Sequence, residues 1–215
     1  MAGQQDPPAS RLTRAFFAED VLDVAPALLG CTVTHAGVTV RLTEVEAYAG
    51  VVDPGSHAYR GPTPRTRVMF GAAGHLYVYF SYGMHWCTNV VCGPDGEASA
   101  VLLRAGEVVA GDELAAARRP RMARRDWARG PARLAATLAL TGEHSGADAC
   151  MPRGRVRFHA PAAHVPATRI RTGPRVGVSG AGGDAAAYPW RFWLDGEPTV
   201  STYRPAKPRT PRPPA

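Results

Sequence analysis

The stretch HLYVYFSYGMHWCTNVVC, His75 to Cys92, decides the fold class. Leu76, Val78 and Phe80 alternate with Tyr77, Tyr79 and Ser81, the period-2 pattern of a strand with one buried face. Tyr82-Gly83 supplies a turn, since glycine takes positive φ without a Cβ clash. A second β-rich run, Met84 to Cys92, then returns. The reading predicts a β-hairpin that carries a large aromatic, Tyr82, at a tip where small polar residues are usual.

Outward from the hairpin the pattern stays rich in strands. Upstream, Thr32 to Thr34 and Val38 to Leu42 read as strands, the second running on through Thr43-Glu44-Val45-Glu46-Ala47-Tyr48. A helix is expected around Asp23 to Leu29, with Asp20 or Asp23 as its cap, Pro26 tolerable only in its first turn and Gly30 ending it. Ala49 to Gly74 is a long irregular segment holding Asp53, His57, Arg60, Arg65 and Arg67; a loop of that length in a compact domain is functional or disordered. Downstream, Ala98 to Ala105, Val156 to Phe158, Arg175 to Ser179 and Phe192 to Leu194 read as strands, and Gly111 to Arg119 and Pro131 to Leu140 as helices. Between those helices lies RRPRMARRDWARG, Arg118 to Gly130, dense in arginine around Trp127. The expected fold is α+β: a single mixed domain, a curved antiparallel β-sheet with flanking helices and a protruding hairpin. Residues 1–14 are expected to be a mobile leader, 15–203 the domain and 204–215 a basic, proline-rich tail.

Length and composition narrow the function. A chain of 215 residues can bury a substantial core as one domain. No apolar run is long enough to span a membrane, and Met1 to Leu29 lacks signal-peptide organisation. Cys31, Cys87, Cys92 and Cys150 form no C-x-x-C pair and sit among apolar neighbours, which points to free thiols and a cytoplasmic location. Basic residues outnumber acidic ones 25 to 18, for a net charge of +7. That balance favours a polyanionic partner, nucleic acid above all. All but one of the cations are arginines, the exception being Lys207.

The period-2 rule places Glu44, Glu46 and Tyr48 on one side of their strand, opposite Val45 and Ala47. If the apolar pair faces the core, two carboxylates and a tyrosine face a cleft. A carboxylate withdrawn from water is what a general base needs, because desolvation raises its proton affinity; the plainer alternative is a solvated strand face. Rival chemistries fare worse. Base-deaminating zinc enzymes need H-x-E and P-C-x-x-C, and neither occurs. His57, His75 and His85 lack zinc-like spacing, so no metal or other cofactor is expected. A Schiff-base lysine would have to be Lys207, in a proline-rich tail unsuited to desolvating an amine. What remains is a water activated by a carboxylate, with an arginine placing or stabilising charge.

E-x-E-A-Y at Glu44 to Tyr48, H-A-Y-R-G-P-T-P-R-T-R at His57 to Arg67, Met69-Phe70, G-H-L-Y-V-Y-F-S-Y-G-M at Gly74 to Met84, C-T-N at Cys87 to Asn89 and A-V-L-L-R-A at Ala100 to Ala105 together resemble the alkyladenine (3-methyladenine) DNA glycosylases. Fainter likenesses follow in G-P-A-R-L at Gly130 to Leu134 and R-V-G-V at Arg175 to Val178, so the resemblance runs from Val21 to about Tyr203. It implies that Glu46 is the general base for the water attacking C1′ of a flipped nucleotide. Arg104 and the backbone carbonyl of Val176 would hold that water. Tyr48, His57 and Tyr79 would wall the pocket for the extruded base, with Met69 and Leu102 as apolar contacts and Asn89 crowding the purine 2-position. Tyr82 would fill the gap left in the duplex, and Arg60, Arg65 and Arg67 would meet phosphates. Gly93 to Glu97 is slightly longer than the family pattern, on the side facing the opposite strand.

The resemblance thus implies a monofunctional, monomeric glycosylase acting on double-stranded DNA that contains damaged purines of the 3-methyladenine, 7-methylguanine, hypoxanthine and ethenoadenine class. A cationic base would stack between tyrosines with about 0.5–2 kcal/mol per ring. Two other classes stand beside this one: a non-catalytic or RNA-directed binding module on the same fold, and a metal-dependent hydrolase. The Glu46/Arg104 pair speaks against the module, since binding a polyanion does not need that carboxylate.

Overall fold

The computed structural model describes residues 10–81 and 83–206. Eight strands join in one sheet: β1 (Thr32–His35), β2 (Val38–Tyr48), β3 (Leu76–Ser81), β4 (His85–Val91), β5 (Ala100–Ala110), β6 (Arg157–His159), β7 (Ile170–Gly173) and β8 (Arg191–Leu194). All their pairings are antiparallel, in the order β3-β4-β5-β2-β1-β6, with β8 also on β2 and β7 on β8. Among the described residues four short α-helices flank them, α1 (Arg14–Phe17), α2 (Val21–Ala27), α3 (Asp112–Arg118) and α4 (Pro131–Thr137). The expected α+β class and antiparallel sheet are what the chain forms.

β2 is the spine. One edge pairs with β5 along its length, while the other pairs first with β1 and then, from Glu44, with β8. Its buried apolar side chains change phase: Val38, Val40 and Leu42 point to the core, then Val45 and Ala47. A strict period of 2 forbids that, so one residue must be extra. The ladder shows where. Leu42 pairs with Gly106, Glu44 with Ala105 and Val45 with Leu103, leaving Thr43 on β2 and Arg104 on β5 between paired positions. These irregularities let Glu46 and Tyr48 share the face away from the helices.

α2 and α4 cover the first face, where Val24, Leu28, Leu134 and Leu138 join Val33, Val45, Val90, Leu103 and Phe158 in the main core. Asp20 caps α2 by accepting from the Leu22 amide at 2.7 Å. Pro26 falls in the last turn of this helix rather than the first. The cost is limited to one missing donor, because the Leu28 amide resumes the ladder to Val24 and Ala25. Over the second face the segment between β2 and β3 folds back, and its Ala58 and Met69 pack on Tyr77, Val91 and Ala100.

Three further expectations are corrected. Ser10 to Arg14 are not loose: Arg11 bridges to His159, the Leu12 amide donates to Phe158 and Arg14 opens α1. The strand expected at Arg175 to Ser179 is irregular, and Ile170–Gly173 takes its place beside β8. Strand β3 does not simply alternate; Leu76, Tyr77 and Val78 are all buried because both faces are covered there, whereas Phe80 near the tip is 48% exposed. Beyond it Gly83 takes φ +64° and Met84 is 67% exposed, so this end of the hairpin stands out from the sheet. Tyr82 and the tail from Lys207 lie outside the described residues.

Candidate active site

Strand register assembles the site. Tyr77 pairs with Asn89, Asn89 with Leu102, Leu102 with Glu46, and Glu46 with Arg191. Directly paired residues share a face, so these side chains form one row across five strands. A pocket of about 800 Å³ opens over the row. Tyr48, His57, Met69, Tyr79, Asn89 and Leu102, the base-contacting set expected from the sequence, all line it together with Arg65, Arg104 and Val176. Arg60 and Arg67 are exposed outside the lining.

Glu46 lies beneath the pocket, 0% exposed. Its Oε2 accepts from the Tyr48 hydroxyl at 2.9 Å and ion-pairs with Arg104 Nη1 at 3.3 Å. Its Oε1 accepts from the Val176 amide at 2.6 Å. Val176 therefore reaches the carboxylate through its N–H, a contact the resemblance did not anticipate. A carboxylate offers about four acceptor positions; Glu46 uses two in hydrogen bonds and adds the Arg104 ion pair.

Arg104 is held from behind. Its Nε donates to Glu44 at 3.0 Å, and the same carboxylate accepts from Arg191 Nε at 2.7 Å, the Ser201 amide at 2.7 Å and the Ser201 hydroxyl at 2.9 Å. Burial works against the Arg104 charge, but the Glu46 and Glu44 carboxylates outweigh it and raise the guanidinium's pKa above its ordinary value. Glu44 is thus saturated by structural partners, while Glu46 is held by Tyr48, Val176 and Arg104, all of which line the cavity. The two glutamates that the sequence leaves equivalent have separate jobs.

The walls are aromatic. Tyr79 stacks on Tyr77 at 5.4 Å, and the His57 ring meets Tyr79 edge-on at 4.6 Å, with Nδ1 3.1 Å from the Tyr77 hydroxyl. Desolvation between these rings, and then the Arg65 charge, draw the His57 pKa down to about 4, although one side of the residue stays open to solvent at the mouth. The imidazole is therefore neutral at physiological pH. Desolvation, with the neighbouring Glu46 charge, lifts the Tyr48 pKa well above the phenol range, so its hydroxyl keeps the proton it donates. Asn89 is fixed on the floor by an Nδ2 bond of 2.9 Å to the Tyr77 carbonyl. Desolvation likewise raises the Cys87 thiol. Among the described residues no three His, Cys, Asp or Glu side chains gather as a metal site, and no helix is long and apolar enough to cross a membrane.

Sequence reasoning missed the groups that hold these residues. Asp53 was visible only as one polar residue in a long loop, and Arg175 only as the first letter of R-V-G-V. Arg191 and Ser201 carried no signal, because their role exists only once β8 and the segment after it lie against Glu44.

The fold and site define a class first: an antiparallel sheet carrying an aromatic-walled pocket above a buried carboxylate. Comparison with known proteins then gives the family. Residues 15–198 match the methylpurine-DNA glycosylases, and the chain belongs to that family. A Streptomyces avermitilis protein provisionally named as a 3-methyladenine DNA glycosylase is 55% identical over 209 residues, covering 94% of this chain and 96% of the relative. Relatives with the same provisional name from Frankia casuarinae and Leifsonia xyli are 56% and 51% identical over 207 and 201 residues, covering 92% and 89% of this chain and 94% and 92% of theirs. The protein is accordingly a DNA glycosylase, a DNA-binding hydrolase of DNA repair.

Proposed function

We propose that this protein is a monofunctional glycosylase that flips an alkylated or deaminated purine out of double-stranded DNA and hydrolyses its N-glycosidic bond with water, initiating base excision repair in the cytoplasm. The observation that carries this reading is Glu46, buried beneath an aromatic-walled pocket and held by three of its lining residues, Tyr48, Val176 and Arg104. A water bound there gives its proton to Glu46 as its oxygen attacks C1′. The C1′–N bond breaks and the base leaves with the bonding electron pair. Arg104 holds the water and balances the carboxylate's charge, and Val176 fixes the carboxylate's outer oxygen.

Tyr48, Tyr79 and His57 grip the ring, a stacking that suits a cationic methylated purine. Neutral bases such as hypoxanthine and ethenoadenine fit the same slot but are poorer leaving groups. Asn89 crowds the purine 2-position, Met69 and Leu102 close the apolar side, and Tyr82 enters the gap in the duplex. Flipping costs a few kcal/mol, least for damaged or mispaired bases; Arg60, Arg65 and Arg67 offset it on phosphates. Lys207 is the chain's one lysine, and its proline-rich sequence context is a poor one for desolvating an amine.

The test is incubation of the full chain, in EDTA, with duplexes carrying 3-methyladenine, 7-methylguanine, hypoxanthine or ethenoadenine. Free base and abasic sites without strand breaks are expected. Failure to release any of these bases would overturn the reading, and strand breaks at the enzyme's own sites would overturn its monofunctional part.

A further inference from the structure

Arg175 is the most enclosed cation in the described chain, 1% exposed. Its two terminal nitrogens clasp Asp53 at 2.5 and 2.7 Å, and they also donate to the carbonyls of Ala47 at 3.0 Å and Gly182 at 2.7 Å. Asp53 accepts in addition from the amides of Ala49 at 3.2 Å and Gly55 at 2.8 Å, while the buried Arg175 Nε has no hydrogen-bond partner among the described residues. The guanidinium lies 4.6 Å from the Tyr48 ring, with Trp190 at 5.3 Å and Tyr188 at 5.6 Å.

These contacts converge on Glu46 from two directions. Ala47, whose carbonyl Arg175 grips, is the residue between Glu46 and Tyr48 on β2. Val176, whose amide holds Glu46 Oε1, is the next residue after Arg175. The same side chain ties the segment that leads into Val176–Ser179 to Asp53, the residue before Pro54–His57, and both of those stretches line the pocket. Their approach leaves no slack. A Cβ on Gly182 would meet the Gly55 amide nitrogen at 2.2 Å, and one on Gly55 would meet Arg175 Nη2 at 2.5 Å.

A buried ion pair gives little net stability relative to well-packed apolar side chains, because desolvation consumes most of its attraction. Fixed geometry is what the rigid guanidinium fork does supply. We infer that Arg175, locked by Asp53, is a positioning residue for the Glu46 carboxylate, setting the Tyr48 hydroxyl and the Val176 amide in place together. This rests on the reading of Glu46 as the general base.

The test uses the full chain in three variants. Arg175→Lys keeps the charge and loses the fork. Asp53→Asn/Arg175→Gln removes both charges together. Gly55→Ala presses a methyl on the guanidinium and deletes nothing, covering the case in which the others fail to fold. Each is measured for single-turnover base release at saturating enzyme, for Kd on a duplex holding an abasic-site analogue, and for thermal unfolding. Misplacing a general base by about 1 Å costs roughly 10²-fold, so the release rate should drop on that order while Kd holds. A folded variant with the wild-type rate overturns the inference, as does a parallel loss of rate and Kd, which would mark a collapsed pocket. If the wild-type chain releases no base, or Glu46→Gln releases it normally, the reading of Glu46 fails instead.

Discussion

The Tyr48 hydroxyl donates to Glu46 Oε2 at 2.9 Å from two residues along the same strand. The side chain that walls the pocket is thus also bonded to the carboxylate below it. Tyr48→Phe keeps the wall and removes the donor. A hydrogen bond to a charged group contributes about 1.5–3 kcal/mol, so base release should slow by roughly tenfold or more while lesion-duplex affinity holds. Single-turnover kinetics beside a binding isotherm separate the two; equal losses in both would mean the hydroxyl serves only the pocket's shape.

Glu46→Gln should abolish base release and preserve DNA binding. General bases contribute typically 10²–10⁴-fold, and the amide keeps the carboxylate's shape. Gel-shift affinity for lesion duplex against the rate of free-base appearance is the comparison. Wild-type release rates would sink the assignment.

Glu44→Gln should behave differently, as a stability variant. It leaves Arg104 and Arg191 without the buried charge that both face. Breaking such a pair costs about 3–5 kcal/mol, to be read as a lower urea midpoint at unchanged m-value. A variant as stable as wild type would show that Ser201 and the remaining carbonyls suffice.

Stability should fall as the solution is made acid, partly through histidine. Desolvation, with the charges of His144, Arg118 and Arg155, lowers the His35 pKa against the opposing bond of its Nδ1–H to the Leu138 carbonyl at 2.7 Å. The unfolded chain therefore takes up this proton first, near the ordinary value of about 6.5. Below that pH the unfolded state binds more protons and stability declines. His57 adds a smaller share, ending near its own pKa of about 4, because it is partly exposed. His35→Gln should flatten the loss between pH 7 and pH 5 in urea titrations; an unchanged slope would place the acid sensitivity elsewhere.

Tyr82→Ala should weaken binding to lesion duplex much more than to the same lesion in a single strand, since only a duplex leaves a gap to fill. Fluorescence anisotropy on both substrates tests it, and equal losses would remove the wedge role.

Much of the sheet was legible because β2, β3 and β5 carry unambiguous β-rich runs. The motifs around Glu46, Tyr79 and Arg104 named residues that the fold does gather at one pocket. The bulges were harder to see, although the shift of apolar phase from Val40 and Leu42 to Val45 and Ala47 was already in the chain. β7 was misplaced because Arg175–Ser179 has equal β-character, although Arg175 is bonded to Asp53 and stands in no ladder. The stretch from Ser10 to Arg14 was misjudged for a similar reason. Arg11 looks like a solvated cation until the carbonyls of Ala149 and Pro152 accept from it at 2.9 and 2.7 Å. Long-range partners of this kind leave no local pattern.

The hold of Ser201 on Glu44 spans 157 positions of sequence. During synthesis the ribosome must therefore release nearly the whole domain before the carboxylate behind Arg104 has its partners. A nascent chain shorter than that carries Glu46 and its tyrosines without the frame that orders them. Contacts so distant also close slowly, because a large loop must lose its freedom before they form. Activity should thus return on refolding no earlier than the docking of the segment at Ser201 against Glu44.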